Sequence, residues 1–320
     1  MTAPLLSVVV PVYNEEQCLA AFYAELSAAL RQTGLRHEIL FVDDGSSDGT
    51  WDLLGRLREM DPAVSVVGLS RNFGHQIALT AGLDLATGDA VVTLDADLQH
   101  PPALIPEMTA RWKAGAKVVQ MVRAADDGGG RLKHLTSGAF YRLINALSST
   151  PVPPRAADFR LLDRKAVDQL KSMKERHRFL RGMIGWLGLR EETVVFAAPP
   201  RAAGRTKYTW SKMARLASDG IVSFSIIPLR AALWLGVLSI GVNAAYAAYV
   251  LFMYFVHAAL IKGWASLILL VMFLGSIQLI LLGIIGEYLG RTYEEVKNRP
   301  LYVIGELLPR RDVTAGGSAA

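Results

Sequence analysis

Two aspartates two residues apart, Asp95 and Asp97, follow the apolar run Val91-Val92-Thr93-Leu94 and precede Leu98-Gln99-His100-Pro101-Pro102. The run has the length and composition of a buried parallel strand. In an extended chain, residues i and i+2 point to the same side. Both carboxylates are therefore expected to face one space at the strand's carboxyl end, where open α/β sheets bind ligands. Two hard anionic oxygens with coordination positions left open suit Mg²⁺ or Mn²⁺ carrying a substrate diphosphate. The same residues would also suit a loop whose aspartates cap a helix after Pro101-Pro102. A second acidic pair, Asp43-Asp44, ends the run Glu38-Ile39-Leu40-Phe41-Val42 and opens Gly45-Ser46-Ser47-Asp48-Gly49-Thr50. Carboxylates so placed accept from a base N–H or from ribose hydroxyls. Asp48 reads instead as the cap of the next helix.

The elements that must position these groups follow from short β-branched runs bounded by turn residues. Leu5 to Val10 is a strand closed by Pro11. Asn14 with Gln17 three residues on predicts a capping box opening a helix to about Gln32. Val64 to Leu69 is a third strand, Val91 to Leu94 a fourth and Lys117 to Val122 a fifth, with helical stretches between them. Strands alternating with helices of ordinary length predict a doubly wound, mostly parallel sheet. The first 120 residues thus read as one α/β nucleotide-binding unit. No G-x-G-x-x-G stands in the first turn and no G-x-x-x-x-G-K-[ST] anywhere, so dinucleotide-binding and P-loop readings lose their motif.

Four segments in order then carry a resemblance: Val9-Val10-Pro11-Val12-Tyr13-Asn14-Glu15, Val42-Asp43-Asp44-Gly45-Ser46-Ser47-Asp48-Gly49-Thr50, Ser70-Arg71-Asn72-Phe73-Gly74 and Asp95-Ala96-Asp97-Leu98-Gln99. Together they resemble family 2 of the inverting nucleotide-sugar glycosyltransferases, with the GT-A fold, and most of all its dolichyl/bactoprenyl-phosphate sugar transferase branch. The resemblance runs from about Leu5 to Pro309. It implies that Pro11, Tyr13, Glu15, Asp43 and Asp44 line the nucleotide-sugar pocket. It implies that Asp95 faces the ribose and the metal, and that Asp97 and Gln99 hold the divalent ion against the diphosphate. Arg123, Arg131 and Lys133, with Ser137 as a hydroxyl donor, become candidates for gripping the acceptor phosphate, since Arg and helix N-termini are the usual phosphate holders. Related enzymes often carry Arg where Lys133 stands. Arg201 to Tyr208, which includes Lys207, resembles the family's acceptor-side loop. Asp158, in Asp158-Phe159-Arg160, resembles the branch's carboxylate near the sugar, as base or as positioning group. A capping role or a pairing with Arg160 is the bland alternative. A phosphate monoester has its second pKa near about 6, so a lipid phosphate is already mostly ionised and needs no strong base. Catalysis is then expected from metal, basic side chains and in-line positioning.

Composition places the rest. The chain has 320 residues, a hydrophobic share of 52% and a net charge of +5, with mean hydropathy +0.28 and pI near 9.3. The apolar excess lies mostly after Pro228, and the basic residues cluster beside it, so an anionic membrane surface is a better partner than nucleic acid. Cys18 is the single cysteine, which rules out an intrachain disulfide and fits a reducing compartment. No secretory signal precedes the first strand. Residues 174–187, dense in Arg and Lys with Phe, Met, Ile and Trp, read as an amphipathic helix on a bilayer surface, and residues 205–224 as a second. Ala231 to Val256 and Gly263 to Gly286 carry no charge, and each exceeds the roughly 20 residues needed to span hydrocarbon. Basic residues flank the pair, and the turn between holds one lysine, which puts both termini in the cytoplasm. Pro300 to Leu308 is expected to be an extended piece pairing with a neighbouring subunit.

The expected organisation is a GT-A domain over 1–170, interfacial helices and acceptor-side loop over 171–229, a two-helix transmembrane hairpin over 230–287 and a cytoplasmic helix and tail over 288–320. The expected activity is transfer of a sugar from a nucleotide sugar, UDP-glucose first, to a polyprenyl phosphate. The setting is the inner (cytoplasmic) membrane, and the resemblance implies a homo-oligomer, a tetramer being one form. A processive polysaccharide synthase would usually show Q-x-x-R-W and more spans, and neither is present. A non-enzymatic membrane scaffold is the other alternative, opposed by the intact Asp95, Asp97 and Asp158.

Overall fold

The structure is a computed structural model that describes residues 3–124, 156–176, 178–197, 227–257 and 263–311. The described residues form two compact units, one of residues up to 197 together with 299–311, the other of residues 227–298.

The first unit is built on a sheet of eight strands in the order β7-β5-β6-β4-β1-β2-β3-β8. Its centre is β1 (Leu5–Val12), parallel to β2 (Arg36–Asp43) on one side and β4 (Ala90–Thr93) on the other, with β3 (Val64–Leu69) parallel beyond β2. β1 is buried from Leu6 to Val12 because helices cover both faces, which is why it reads as a continuous apolar run. Helix α1 (Leu19–Thr33) buries Leu19, Phe22, Leu26, Ala29 and Leu30, one stripe at helical spacing. Each large side chain so buried contributes about 1.5–3 kcal/mol. The helix stops at Gly34, whose positive φ of 64° lets its N–H turn back to Arg31 O. Helices α2 (Thr50–Met60), α3 (His75–Leu85) and α4 (Ile105–Lys113) follow β2, β3 and β4.

Helix α3 lies close on the sheet through Gly82. A Cβ there would stand 2.2 Å from Val9 Cγ1 and 3.2 Å from Val42 Cγ2. Gly82→Ala should therefore cost about 1–3 kcal/mol by overpacking, despite alanine's better helix propensity. Urea unfolding of the two proteins checks this, and equal stability would contradict the close seating.

Three findings add to the expectations. First, β6 (Ala156–Asp163) inserts antiparallel between β4 and β5 (Val118–Arg123), and β7 (Glu191–Phe196) pairs parallel with β5. The sheet is mostly parallel, as expected, with β6 as an antiparallel insertion, and its strands run on past residue 170. Second, residues 174–187 do not form the single helix expected of them. Helix α5 (Arg164–Ser172) ends before them and α6 is only Leu180–Trp186, with Leu180, Met183 and Ile184 buried in the unit's own core. Only Trp186, 66% exposed, keeps a large apolar surface there. Third, β8 (Ile304–Leu308) pairs antiparallel with β3 of its own chain. Tyr302 donates to Asp84 Oδ2 (3.0 Å), and Arg310 Nη1 reaches the buried Glu38 (3.2 Å).

The second unit is two helices in contact, α7 (Ile227–His257) and α8 (Trp264–Val296), where the two spans were expected. Ile240 is 71% and Leu279 72% exposed. Both helices are long and apolar enough to cross a membrane, over Leu229–Tyr249 and Leu270–Val296. Apolar side chains exposed along helices of this length have lipid as their natural solvent.

Candidate active site

The site residues gather where β1, β2 and β4 end and β6 begins. Two loops meet first. Asn14 leaves β1 with a φ of 56°, and its amide donates to Ser46 Oγ (2.9 Å). Its side chain accepts from the Ser47 amide (2.8 Å). The expected capping box is thus not formed: Asn14 stitches the β1 and β2 loops together, and α1 begins only at Leu19 with no side-chain cap. Tyr13 stays 39% exposed beside this junction. Glu15 accepts from the Cys18 thiol (3.1 Å), and burial followed by that carboxylate pushes the thiol's pKa up to about 12. Cys18 is no thiolate nucleophile.

Asp43 and Asp44 are both buried, and burial raises both pKa values against the hydrogen bonds they receive. Asp43 accepts from the amide and hydroxyl of Ser46. Asp44 forks onto the Phe73 and Gly74 amides (2.7 and 2.9 Å), fixing the loop that starts α3. Gly45 makes this possible, since a Cβ there would stand 2.8 Å from the Arg71 carbonyl carbon and its φ is 74°. The N-cap of α2 is Gly49, without a side-chain cap, rather than Asp48, which stands one residue earlier and accepts from the Thr50 amide (3.0 Å).

β4 ends at Thr93, so the i, i+2 alternation of a strand does not carry Asp95 and Asp97. A turn does, with Leu98 at a φ of 61° and the Gln99 amide donating to Asp97 Oδ1 (3.0 Å). His100, 1% exposed, organises it: its Nδ1 accepts from the Asp95 amide (3.0 Å) and its ring stacks on Phe159 at 5.5 Å. Arg123 Nη2 lies 3.3 Å from His100 Nε2 and 3.4 Å from Gln99 Oε1. Gln99 is thereby turned to Arg123, leaving the two aspartates as the oxygen donors of the turn.

Asp95 Oδ1 is buried without a hydrogen bond. Its ion-pair contact is the His75 ring at 3.4 Å, and His75 Nε2 also lies 3.6 Å from Asp158 Oδ2. Burial opposes charging of His75, but Asp95 and then Asp158 outweigh it and push the pKa up to about 9. The ring is 43% exposed, so solvent moderates the gain. A raised folded-state value stabilises the protein fully below the unfolded value near 6.5 and loses that contribution as pH rises through about 9. Without added divalent ion, thermal stability should thus fall from pH 6.5 to 9 more steeply in the wild type than in His75→Gln. Parallel curves would contradict the pairing.

Asp158, on β6, is the most heavily bonded carboxylate of the site. It pairs with Arg160, accepts from Arg181 Nε and Nη2 (3.1 Å each) and accepts from Gln76 Nε2 (3.2 Å). Burial opposes its charge, yet Arg181, His75 and Arg160 hold it well below the usual carboxylate range. His75, Gln76, His100 and Arg181 were not legible as site residues. Arg131, Lys133, Ser137 and Lys207 lie outside the described residues.

A buried, unsatisfied carboxylate oxygen at the end of a central strand is what a hard cation or a ligand donor would satisfy. Among the described residues no three His, Cys, Asp or Glu side chains gather as a metal site. An ion here would therefore draw most of its ligands from a diphosphate and water, the habit of Mg²⁺.

Comparison with known proteins agrees with the fold. Residues 7–171 match Glycosyl transferase family 2. The glycosyltransferase YkcC of Bacillus subtilis is 44% identical over 298 residues, 93% of this chain and 92% of that one. The prophage bactoprenol glucosyl transferase homolog of Escherichia coli is 40% identical over 93% of this chain and 98% of its own. The bactoprenol glucosyl transferase of Shigella phage SfII is 39% identical over 93% and 97%. The chain belongs to family 2 of the glycosyltransferases.

Proposed function

We propose that the protein transfers glucose from UDP-glucose to a polyprenyl phosphate at a membrane, releasing UDP and giving polyprenyl-phosphate glucose with inverted anomeric configuration. The observation that carries this is the extent of the match to the bactoprenol glucosyl transferases. It covers 93% of this chain and 97–98% of theirs, too much to omit either long apolar helix. The donor side is supported by Tyr13, Asp43 and the stitched β1 and β2 loops, which border one end of the sheet. Asp95 and Asp97 would hold a divalent ion, Mg²⁺ or Mn²⁺, whose charge would neutralise the departing diphosphate. Arg123, beside Gln99 and His100, would hold anionic oxygen at the adjoining edge. Arg131, Lys133, Ser137 and Lys207 are the further acceptor-side candidates. The lipid phosphate, already ionised, supplies the attacking oxygen. What the chain adds is in-line placement and a charged cradle.

In this reading α7 and α8 cross the cytoplasmic membrane as a hairpin with both termini inside, the basic flanks setting the orientation. The protein works as a homo-oligomer, with a tetramer as one form. The test uses purified protein, undecaprenyl phosphate, Mn²⁺ or Mg²⁺ and a panel of labelled nucleotide sugars. Label from UDP-glucose should move into the organic phase. Transfer only from a GDP-linked or N-acetylhexosamine donor would overturn the choice of sugar, and transfer from none would overturn the reaction.

A further inference from the structure

The four lone-pair directions of the Asp158 carboxylate are matched by four hydrogen bonds from the protein: one from Arg160, two from Arg181 and one from Gln76. The carboxylate is 9% exposed, whereas Arg181 is 29% and His75 43% exposed. The buried member of the cluster is thus the acid, and the members open to solvent are its partners. Such a carboxylate has no vacant oxygen direction from which to take a proton from an incoming acceptor. Its neighbours are also set by it. Arg181 comes from α6 and His75 and Gln76 from the first turn of α3, two elements that meet at this side chain. Gln76 repeats the link from the other side, its Oε1 accepting from the Leu180 amide (3.2 Å) next to Arg181.

We propose that Asp158 is a positioning residue rather than a general base, and that it acts by holding the Arg181 guanidinium at the rim of the transfer site. The bidentate Nε and Nη2 contact fixes the plane of the guanidinium as well as its place, which an ammonium could not reproduce. Arg160, fully buried on the same strand, supplies the second positive charge that keeps the acid ionised while Arg181 faces outward. Arg181 then presents fixed positive charge beside Asp95, through His75, where the two anionic substrates must meet.

The inference rests on the transfer reading above, and its test separates the two. Initial rates of glucose transfer to undecaprenyl phosphate are measured for the wild type, Arg181→Met, Asp158→Asn and the double variant, with UDP binding by calorimetry confirming a folded donor site in each. Both single variants should lose roughly 10²-fold in kcat with KM for UDP-glucose changed less than about three-fold, and the double variant should be no slower than either. Added guanidinium should restore part of the Arg181→Met rate, which a merely structural role would not allow. This measurement stands even where Asp158→Asn fails to fold. An Asp158→Asn loss far exceeding that of Arg181→Met would make Asp158 the base and overturn the inference. So would multiplied losses in the double variant, or no rescue by guanidinium. Absence of transfer in the wild type would overturn the transfer reading instead.

Discussion

Asp97→Ala should lose roughly 10³-fold or more in glucose transfer while remaining folded. Asp97 is half-buried in the turn after β4, where its structural bond is one from the Gln99 amide. Losing that bond costs on the order of 1 kcal/mol, too little to unfold a domain with this core. Its chemical role is larger, because stabilising charge that develops on a leaving group commonly contributes 10²- to 10³-fold per preorganised group, as an order of magnitude. A divalent ion left with Asp95 alone should also bind more weakly. The rate should therefore depend on Mn²⁺ over a higher concentration range in the variant. UDP affinity should fall only when the metal is present. Unchanged transfer, or a loss independent of metal, would remove Asp97 from the donor site.

Arg160→Met should give the largest loss of stability of any single change in the site, about 3–5 kcal/mol, because it breaks a buried ion pair and strands part of its acid. Arg160 is 2% exposed and donates to the Ala157 carbonyl (3.0 Å) as well as to Asp158. The variant should also be more sensitive to acid. Arg181, His75 and Arg160 together outweigh burial and depress the Asp158 pKa in the folded protein. Its contribution is thus full above the ordinary carboxylate range, near about 4, and drains as pH falls through the depressed value. Without Arg160 the folded-state value rises, so acid unfolding should begin at higher pH. Denaturant unfolding at pH 7 and an acid titration followed by circular dichroism check the two parts. A variant as stable as the wild type would show that the pair contributes only shape.

The central strands were legible because parallel strands covered on both faces read as unbroken apolar runs, as β1, β2 and β3 do. The long helices were legible for the same reason, their apolar stretches exceeding anything a core requires. β6 was not, because its pattern carries Asp158 and Arg160, charges that are buried only by virtue of each other and of Arg181. The apolar side chains of α6 were assigned to a bilayer because nothing local tells a domain core from a membrane surface. At the site, Asp95 and Asp97 stood out as a local pair, though a left-handed turn at Leu98 rather than a strand presents them. Asp158 with Gln76 and Glu38 with Arg310 are 82 and 272 residues apart, distances at which no spacing rule operates. His75 follows a recognisable loop, but its partners come from β6 and from the turn after β4, and only the folded sheet brings them together.

The most direct test of the account is the stoichiometry of the reaction. Wild-type protein with UDP-glucose, undecaprenyl phosphate and Mn²⁺ would be followed by release of UDP and by mass spectrometry of the lipid fraction. The account predicts one UDP released for each lipid carrying a single glucose on its phosphate, with release dependent on the lipid phosphate and absent in Asp97→Ala. UDP release without a glucosylated lipid, or a lipid carrying a growing glucan, would contradict it.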